Sequence, residues 1–238
     1  MLRALLDKLY ALPLHPDDML VFIGDYVDRG EDSRGVIETL IALREQRPNT
    51  VFLRGNHEQL MLEARDAPAP EPGSEMGKFV LSDEMLLWLT NGGDETLLSY
   101  SDEMDEEDFS HWWELIPDSH WEFLRNTRME YVCDRYQFVH AGVLPNGQYW
   151  EGAERNFDPR LWIREPFLSS SDDFAGRIVV FGHTPQNSGS PLMRKNKIGI
   201  DTGAVFGGPL TAIGIDPEAK IRRFPSPQVH QVQHILPV

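Results

Sequence analysis

The chain has 238 residues, with 22 Lys+Arg against 38 Asp+Glu and a formal net charge of −16. Its length and a 41% hydrophobic share suffice for a globular core, and the acidic balance excludes a basic footprint for nucleic acid and disfavours an anionic membrane surface. A single cysteine, Cys133, cannot form an internal disulfide, no apolar run reaches the length of a membrane span, and the opening MLRALLDKLY does not read as a signal peptide, so a cytoplasmic setting is expected.

Leu2, Leu5, Leu6 and Leu9 fall at i, i+3, i+4 and i+7 and predict a first helix, stopped by Pro13 and Pro16. Met19 to Ile23 is a short apolar run closed by Gly24, the pattern of a buried strand. Ser33 to Gln46 has helical periodicity, Thr50 to Leu53 reads as a second buried strand, and a further helix is expected from Glu58 to Ala64. This alternation argues an α/β unit with parallel strands. One feature is unusual for such a unit: the chain opens on a helix with no strand before it.

Residues 66–77, rich in Pro, Gly and acids, read as an exposed loop. Residues 78–127 read as mostly helical and carry Trp88, Trp112, Trp113 and Trp121. Within them Asp102 to Asp108 is an acidic run without the spaced oxygen ligands and glycine of a calcium loop, and is read as a solvated surface. Strands are then expected at Met129–Cys133, Tyr136–His140, Arg177–Phe181, Lys197–Asp201, Thr211–Ile215 and Lys220–Phe224, with an irregular tail from Pro225. The organisation expected is one domain over 1–238 with a helical, acidic insertion at about 66–127.

The chemistry gathers where the strands end. Gly24-Asp25-Tyr26-Val27-Asp28-Arg29-Gly30 follows the first strand and Arg54-Gly55-Asn56-His57-Glu58 the second. His140-Ala141-Gly142 and Gly182-His183-Thr184 follow two later ones. Open α/β sheets bind ligands at the carboxyl ends of strands. Asp25 can bridge two cations, and Asn56, His140 and His183 add one oxygen and two nitrogens. Such a mixed set suits manganese, iron or zinc better than calcium. Two such ions generate a hydroxide nucleophile and clamp an in-line displacement at phosphorus. Arg29, Arg54 and Arg164 offer forked donors for phosphoryl oxygens. His57 can protonate a leaving alkoxide, with Asp28 fixing its tautomer.

Taken singly, each of these residues has an ordinary explanation as a turn cap, a surface charge or a packed histidine. It is their joint occurrence at four strand ends that argues for a site. His15, His111, His120, His230 and His234 lie outside such contexts and read as surface or structural, and Asp201-Thr202-Gly203-Ala204 reads as a tight turn.

GDYVDRG, RGNHE, HAG and GHT, in that order, resemble the metallophosphoesterases of the phosphoprotein phosphatase (calcineurin-like) type, above all their bacterial and phage members. LTNGGDETLLSY, LWIRE and IDTGAVFGGPLTAI resemble them too, so the likeness runs from about Leu2 to about Phe224. The resemblance implies an α/β fold of two mixed β-sheets in a sandwich flanked by helices. It implies that Asp25 bridges two divalent ions, expected to be manganese, while Asn56, His140 and His183 complete the second ion's shell. It gives His57 and Asp28 to the leaving group, and Arg29, Arg54 and Arg164 to the phosphoryl oxygens. The activity implied is metal-dependent phosphomonoester hydrolysis, foremost of phosphoserine and phosphothreonine in proteins. Dinucleoside tetraphosphate hydrolysis is the alternative within the family.

The family's opening strand and Gly-Asp-x-His-Gly motif, whose Asp and His hold the first metal, have no counterpart here. The expectation is a start placed too late, with an incomplete first-metal site in the chain as written. If that motif is truly lacking, the reading becomes an inactive phosphate-binding scaffold.

Overall fold

The structure is a computed structural model that describes residues 1–12, 15–68, 71–72, 79–101, 109–215 and 229–232. The chain forms two compact units: one from Met1–Asp18 with Glu130–Val238, the other from Met19–Met129. The fold is α/β with a mixed sheet and helices about it, as the alternating apolar patterns require.

In the Met19–Met129 unit, β1 (Val21–Phe22) pairs in parallel with β2 (Val51–Phe52), with Val21 opposite Val51. Helix α2 (Ser33–Gln46) joins them, and the Asp32 side chain caps it by accepting the Gly35 N–H. The ladder is shorter than the apolar runs, because the two strands pair only over their middle. The bonds Val51 N–H to Leu20 O and Leu53 N–H to Phe22 O, both 2.8 Å, extend it by one step at each end. Helix α3 (Asn56–Asp66) starts two residues earlier than its periodicity suggests. Phe22 and Phe52 stack with ring centres 5.3 Å apart, and Phe123 of α6 (Asp118–Arg125) meets Phe52 edge-on at 5.1 Å.

Within the stretch read as a loop lies β3 (Glu71–Pro72), which pairs antiparallel with β4 (Phe79–Val80) just beyond it. Beyond it come α4 (Asp83–Trp88), capped by the Ser82 hydroxyl, a tight turn over Leu89–Gly93, and α5 (Asp94–Leu98). Apart from β4, the mostly helical reading of residues 78–127 therefore holds for their described part. Trp88 is fully buried and stacks on Trp113 at 5.3 Å, which in turn meets Trp121 at 5.8 Å, so the tryptophans form a wall rather than an exposed patch. The acidic run Asp102–Asp108 lies outside the described residues.

The other unit opens on α1 (Leu2–Tyr10), with Leu5 and Leu6 buried. Its main sheet is mixed, in the order β5-β6-β7-β9-β8, where β5 is Glu130–Cys133, β6 Tyr136–Val139, β7 Ile178–Phe181, β8 Leu192–Met193 and β9 Lys197–Gly199. β6, β7 and β9 are parallel, and β5 and β8 are antiparallel to their neighbours. All four residues of β7 are buried, as a central parallel strand demands. Val179 and Phe181 pack on one face with Val139, Trp150, Phe167 and Phe174. Ile178, Val180 and Ile198 pack on the other, where Ile213 of β10 (Leu210–Ile213) lies against them.

The tail is a correction to the sequence reading: β11 (Val229–Val232) pairs antiparallel with β10, Leu210 opposite Val232. Its Val-His-Gln-Val pattern after two prolines gives no apolar run to recognise, and pairing with β10 supplies the order. The strand expected at Lys220–Phe224 lies outside the described residues. In this unit α7 (Pro159–Trp162) is capped by the Asp158 side chain and leads directly to Arg164.

Candidate active site

β1 ends in a turn of unusual backbone. Gly24, Asp25, Asp28 and Arg29 all have positive φ, at 97°, 59°, 71° and 61°. Outside glycine such a conformation costs roughly 1–2 kcal/mol per residue. Asp25, Asp28, Arg29 and His183 are four of the eight non-glycine residues with positive φ among the described residues. Backbone strain of this kind persists only where its surroundings over-determine it.

Glu58 supplies much of that constraint. Its fully buried carboxylate accepts the N–H of Asp25 at 2.9 Å and of Gly55 at 2.7 Å through Oε2, and those of Tyr26 at 2.6 Å and Val27 at 3.3 Å through Oε1. One side chain thus ties the turn after β1 to the start of α3, and its reach back to Gly55 is half of a capping box. Gly55 has to be glycine: a Cβ there would run into Asp25 Oδ1 and come within 2.8 Å of Glu58 Oε2. The Tyr26 hydroxyl closes the arrangement by donating to Leu53 O at 2.7 Å. Asn56 and His57, on the first turn of α3, are buried, while Asp25 stays exposed.

His57 Nδ1 lies 2.7 Å from Asp28 Oδ2. The other Asp28 oxygen accepts the Trp88 indole N–H at 3.0 Å and the Thr96 hydroxyl at 2.7 Å, and the Asp28 N–H donates back to Thr96 Oγ1 at 2.7 Å. Burial pushes the Asp28 carboxyl up, against the donors that favour its charge. Burial also works against an imidazolium at His57. The bond to Asp28 and the charges of Asp25 and Asp28 outweigh it, so the His57 pKa is raised. Arg29 is exposed but anchored: its N–H donates to Gly92 O at 3.1 Å and its Nε to Asn91 O at 3.2 Å.

Two further candidates lie on the sheet of the other unit. His140 follows β6 and His183 follows β7, with ring centres 5.2 Å apart and both residues buried. The Gly182 N–H donates to His140 O at 2.7 Å and joins the two strand ends. Trp162 meets the His183 ring edge-on at 6.2 Å, and Arg164 Nη2 approaches His183 O at 3.4 Å.

Residues 1–208 match the calcineurin-like phosphoesterase family. The chain belongs to that family. It is 32% identical over 196 residues to "Serine/threonine-protein phosphatase 1" of Salmonella typhimurium (strain LT2), covering 82% of this chain and 77% of the relative. It is 26% identical over 241 residues to "Bis(5'-nucleosyl)-tetraphosphatase PrpE [asymmetrical]" of Anoxybacillus flavithermus (strain WK1), covering 95% and 87%. The solved metallophosphoesterase from Sphaerobacter thermophilus shares the fold, with a TM-score of 0.50 at 16% identity over 97% of this chain and 83% of that one.

The phosphoesterase's own donors fit a divalent metal. Donors of the kind that suits borderline first-row ions stand in each unit: a carboxylate at Asp25 and a buried amide at Asn56 in one, and two adjacent buried imidazoles at His140 and His183 in the other. The guanidinium groups are less alike than the sequence suggests. Arg29 and Arg164 are exposed, whereas Arg54 spends most of its fork on the protein. It donates from Nε to Thr127 Oγ1 at 3.0 Å, from Nη1 to Gln59 Oε1 at 3.0 Å and from Nη2 to Arg125 O at 3.0 Å.

Sequence reasoning missed Glu58, Trp88, Thr96 and Gly92. All four stand inside motifs it quoted, RGNHE, or beside and within LTNGGDETLLSY, but no periodicity marks a residue whose partners lie about 30 positions away, as for Glu58, or 60 or more, as for the other three. His120, read as surface or structural, is structural: it is buried against the Tyr100 hydroxyl at 2.7 Å. Among the described residues no helix is long and apolar enough to cross a membrane.

Proposed function

We propose that this phosphoesterase removes phosphate from phosphoserine and phosphothreonine in proteins, in a cytoplasmic setting, with two divalent ions of which manganese is the first choice. The observation that carries the reading is the buried His57–Asp28 pair at 2.7 Å, set beside Asn56 and held from behind by Trp88 and Thr96. An alkoxide leaves phosphorus poorly unless it is protonated as the bond breaks. His57, its basicity raised by Asp28, is the proton donor in this reading, and Asp28 holds the imidazole in one orientation.

Asp25, Asn56, His140 and His183 are the residues we assign to the metal. When bound, divalent ions supply charge neutralisation at the phosphoryl oxygens and an activated water. Arg29 and Arg164 bind and orient the phosphoryl group in bidentate fashion. Arg54 contributes at most what is left over from Thr127, Gln59 and the Leu124 and Arg125 carbonyls, and otherwise fixes the Arg54–His57 segment onto the end of α6.

Protein phosphatase is preferred to dinucleoside tetraphosphatase because identity is higher to the relative named for the former, 32% against 26%. The test is turnover with added Mn2+ on a phosphoserine peptide and on diadenosine tetraphosphate. A kcat/KM at least about tenfold higher for the peptide supports the reading; the reverse order assigns the tetraphosphate. Absence of turnover on either, in a chain shown by elemental analysis to hold metal, leaves the inactive scaffold.

A further inference from the structure

β9 begins with a buried lysine. Lys197 is 0% exposed and lies on the face of the sheet that packs Phe167 and Phe174, with Nζ 4.5 Å from the Phe167 ring centre and 5.3 Å from that of Phe174. An apolar side chain would fill this place without the cost of burying an ammonium group. What Lys197 does that an apolar residue cannot is donate. Its ammonium bonds to the carbonyls of Phe167 and Ser170, the latter at 2.8 Å, and approaches that of Leu168 at 3.4 Å.

Those carbonyls close a single helical turn that begins at Arg164. The Leu168 N–H donates to Arg164 O at 2.8 Å and the Ser170 N–H to Pro166 O at 3.1 Å. A cation at the carbonyl end of such a turn is favourable. Two neighbours reinforce it: Arg194 Nη1 donates to Leu168 O at 2.8 Å and Asn196 Nδ2 to Asp172 O at 2.7 Å. On its other side Arg164 is held by α7, whose Arg160 carbonyl accepts the Ala141 N–H at 2.7 Å just beyond His140. The exposed Arg164 guanidinium therefore stands on a segment clamped at both ends.

We propose that Lys197, aided by Arg194, is a positioning residue for Arg164, fixing the turn from which that guanidinium reaches the phosphoryl group. The inference rests on Arg164 binding phosphate as proposed above. The experiment measures binding of inorganic phosphate by calorimetry to the metal-loaded full chain and to Lys197→Met, Arg194→Ala, Arg164→Ala and the Lys197→Met/Arg164→Ala double variant, with the thermal midpoint of each.

Arg164→Ala is expected to weaken phosphate about tenfold, the loss of one charge-assisted fork. Lys197→Met should weaken it about threefold or more in the parent chain and by less than about twofold in the Arg164→Ala background, since its effect passes through that residue. A merely structural lysine would lower the thermal midpoint and the active fraction while leaving the affinity of the folded fraction unchanged in both backgrounds, which overturns the proposal. Should Lys197→Met fail to fold, the exposed Arg194→Ala carries the same comparison. If Arg164→Ala binds phosphate as well as the parent, the reading of Arg164 falls and this inference with it; an effect of Arg164→Ala without one of Lys197→Met or Arg194→Ala defeats the inference alone.

Discussion

His57 Nδ1 and Asp28 Oδ2 stand 2.7 Å apart in a site where both side chains are almost wholly excluded from solvent. Because the second Asp28 oxygen is occupied by Trp88 and Thr96, 60 and 68 positions further along the chain, the carboxylate cannot rotate away, and the imidazole orientation is inherited from them. The consequence is a dependence on the leaving group. p-Nitrophenolate departs without a proton, while a serine alkoxide needs one. His57→Asn and Asp28→Asn are therefore expected to lower kcat about a hundredfold on a phosphoserine peptide and much less on p-nitrophenyl phosphate. Equal losses on both substrates would remove the proton-donor role.

Glu58 is a structural carboxylate whose two oxygens accept four backbone N–H groups. In Glu58→Gln one oxygen becomes an NH2, which confronts two of those donors with another donor. Bonds to a charged acceptor are worth about 1.5–3 kcal/mol, and stranded buried donors add to the loss, so a destabilisation of at least about 2 kcal/mol is expected. Urea unfolding measures it. Because the same donors include the Asp25 N–H, Mn2+ affinity should fall in the folded fraction, read by calorimetry.

The strand-end residues were legible because each follows an apolar run and adjoins a glycine, a pattern that survives without knowledge of the fold. His140 and His183 are beside each other because β6 and β7 are parallel neighbours in register, Phe138 opposite Val180, a pairing that the strand-rich reading of this half of the chain leaves open. What was not legible depends on partners far along the chain. Glu58 looks like the first acid of a helix, Trp88 and Thr96 like parts of a packed cap, and Lys197 like an ordinary exposed start of a strand. Arg54 is the converse case. Its place two residues before Asn56 suggests a phosphate ligand, and only the bonds to Gln59, Thr127 and the carbonyl at the end of α6 show where its fork goes.

Burial pushes the Lys197 pKa down to about 8 from an ordinary 10.5, with the nearby Arg194 charge acting in the same direction and Glu165 opposing it. Between these two values the unfolded chain binds more protons than the folded one. The contribution of this group to stability therefore rises with pH from about 8 to 10.5 and is flat outside that window. Unfolding free energies of the parent and of Lys197→Met, measured in urea at pH 7.5, 9 and 10.5, should show the parent gaining on the variant at each step. A constant difference would mean that the ammonium carries no burial penalty.

Gly92 has φ +102°, and a Cβ there would lie 2.7 Å from Arg29 Cγ and 2.9 Å from Arg29 N. Its carbonyl also accepts the Arg29 N–H at 3.1 Å. The turn before α5 therefore serves as the seat of Arg29, and the seat requires glycine twice over: for the left-handed backbone, and for the contact. Gly92→Ala is expected to cost roughly 1–2 kcal/mol of stability from φ alone. It should also displace Arg29 and so weaken inorganic phosphate by a factor that Arg29→Ala abolishes when the two are combined. Asn91→Ala leaves the backbone free of strain and its main-chain carbonyl in place to accept from Arg29 Nε. It should therefore keep phosphate affinity within about twofold of the parent. Loss of affinity in Asn91→Ala equal to that in Gly92→Ala would assign the effect to the turn as a whole rather than to the seat beneath Arg29.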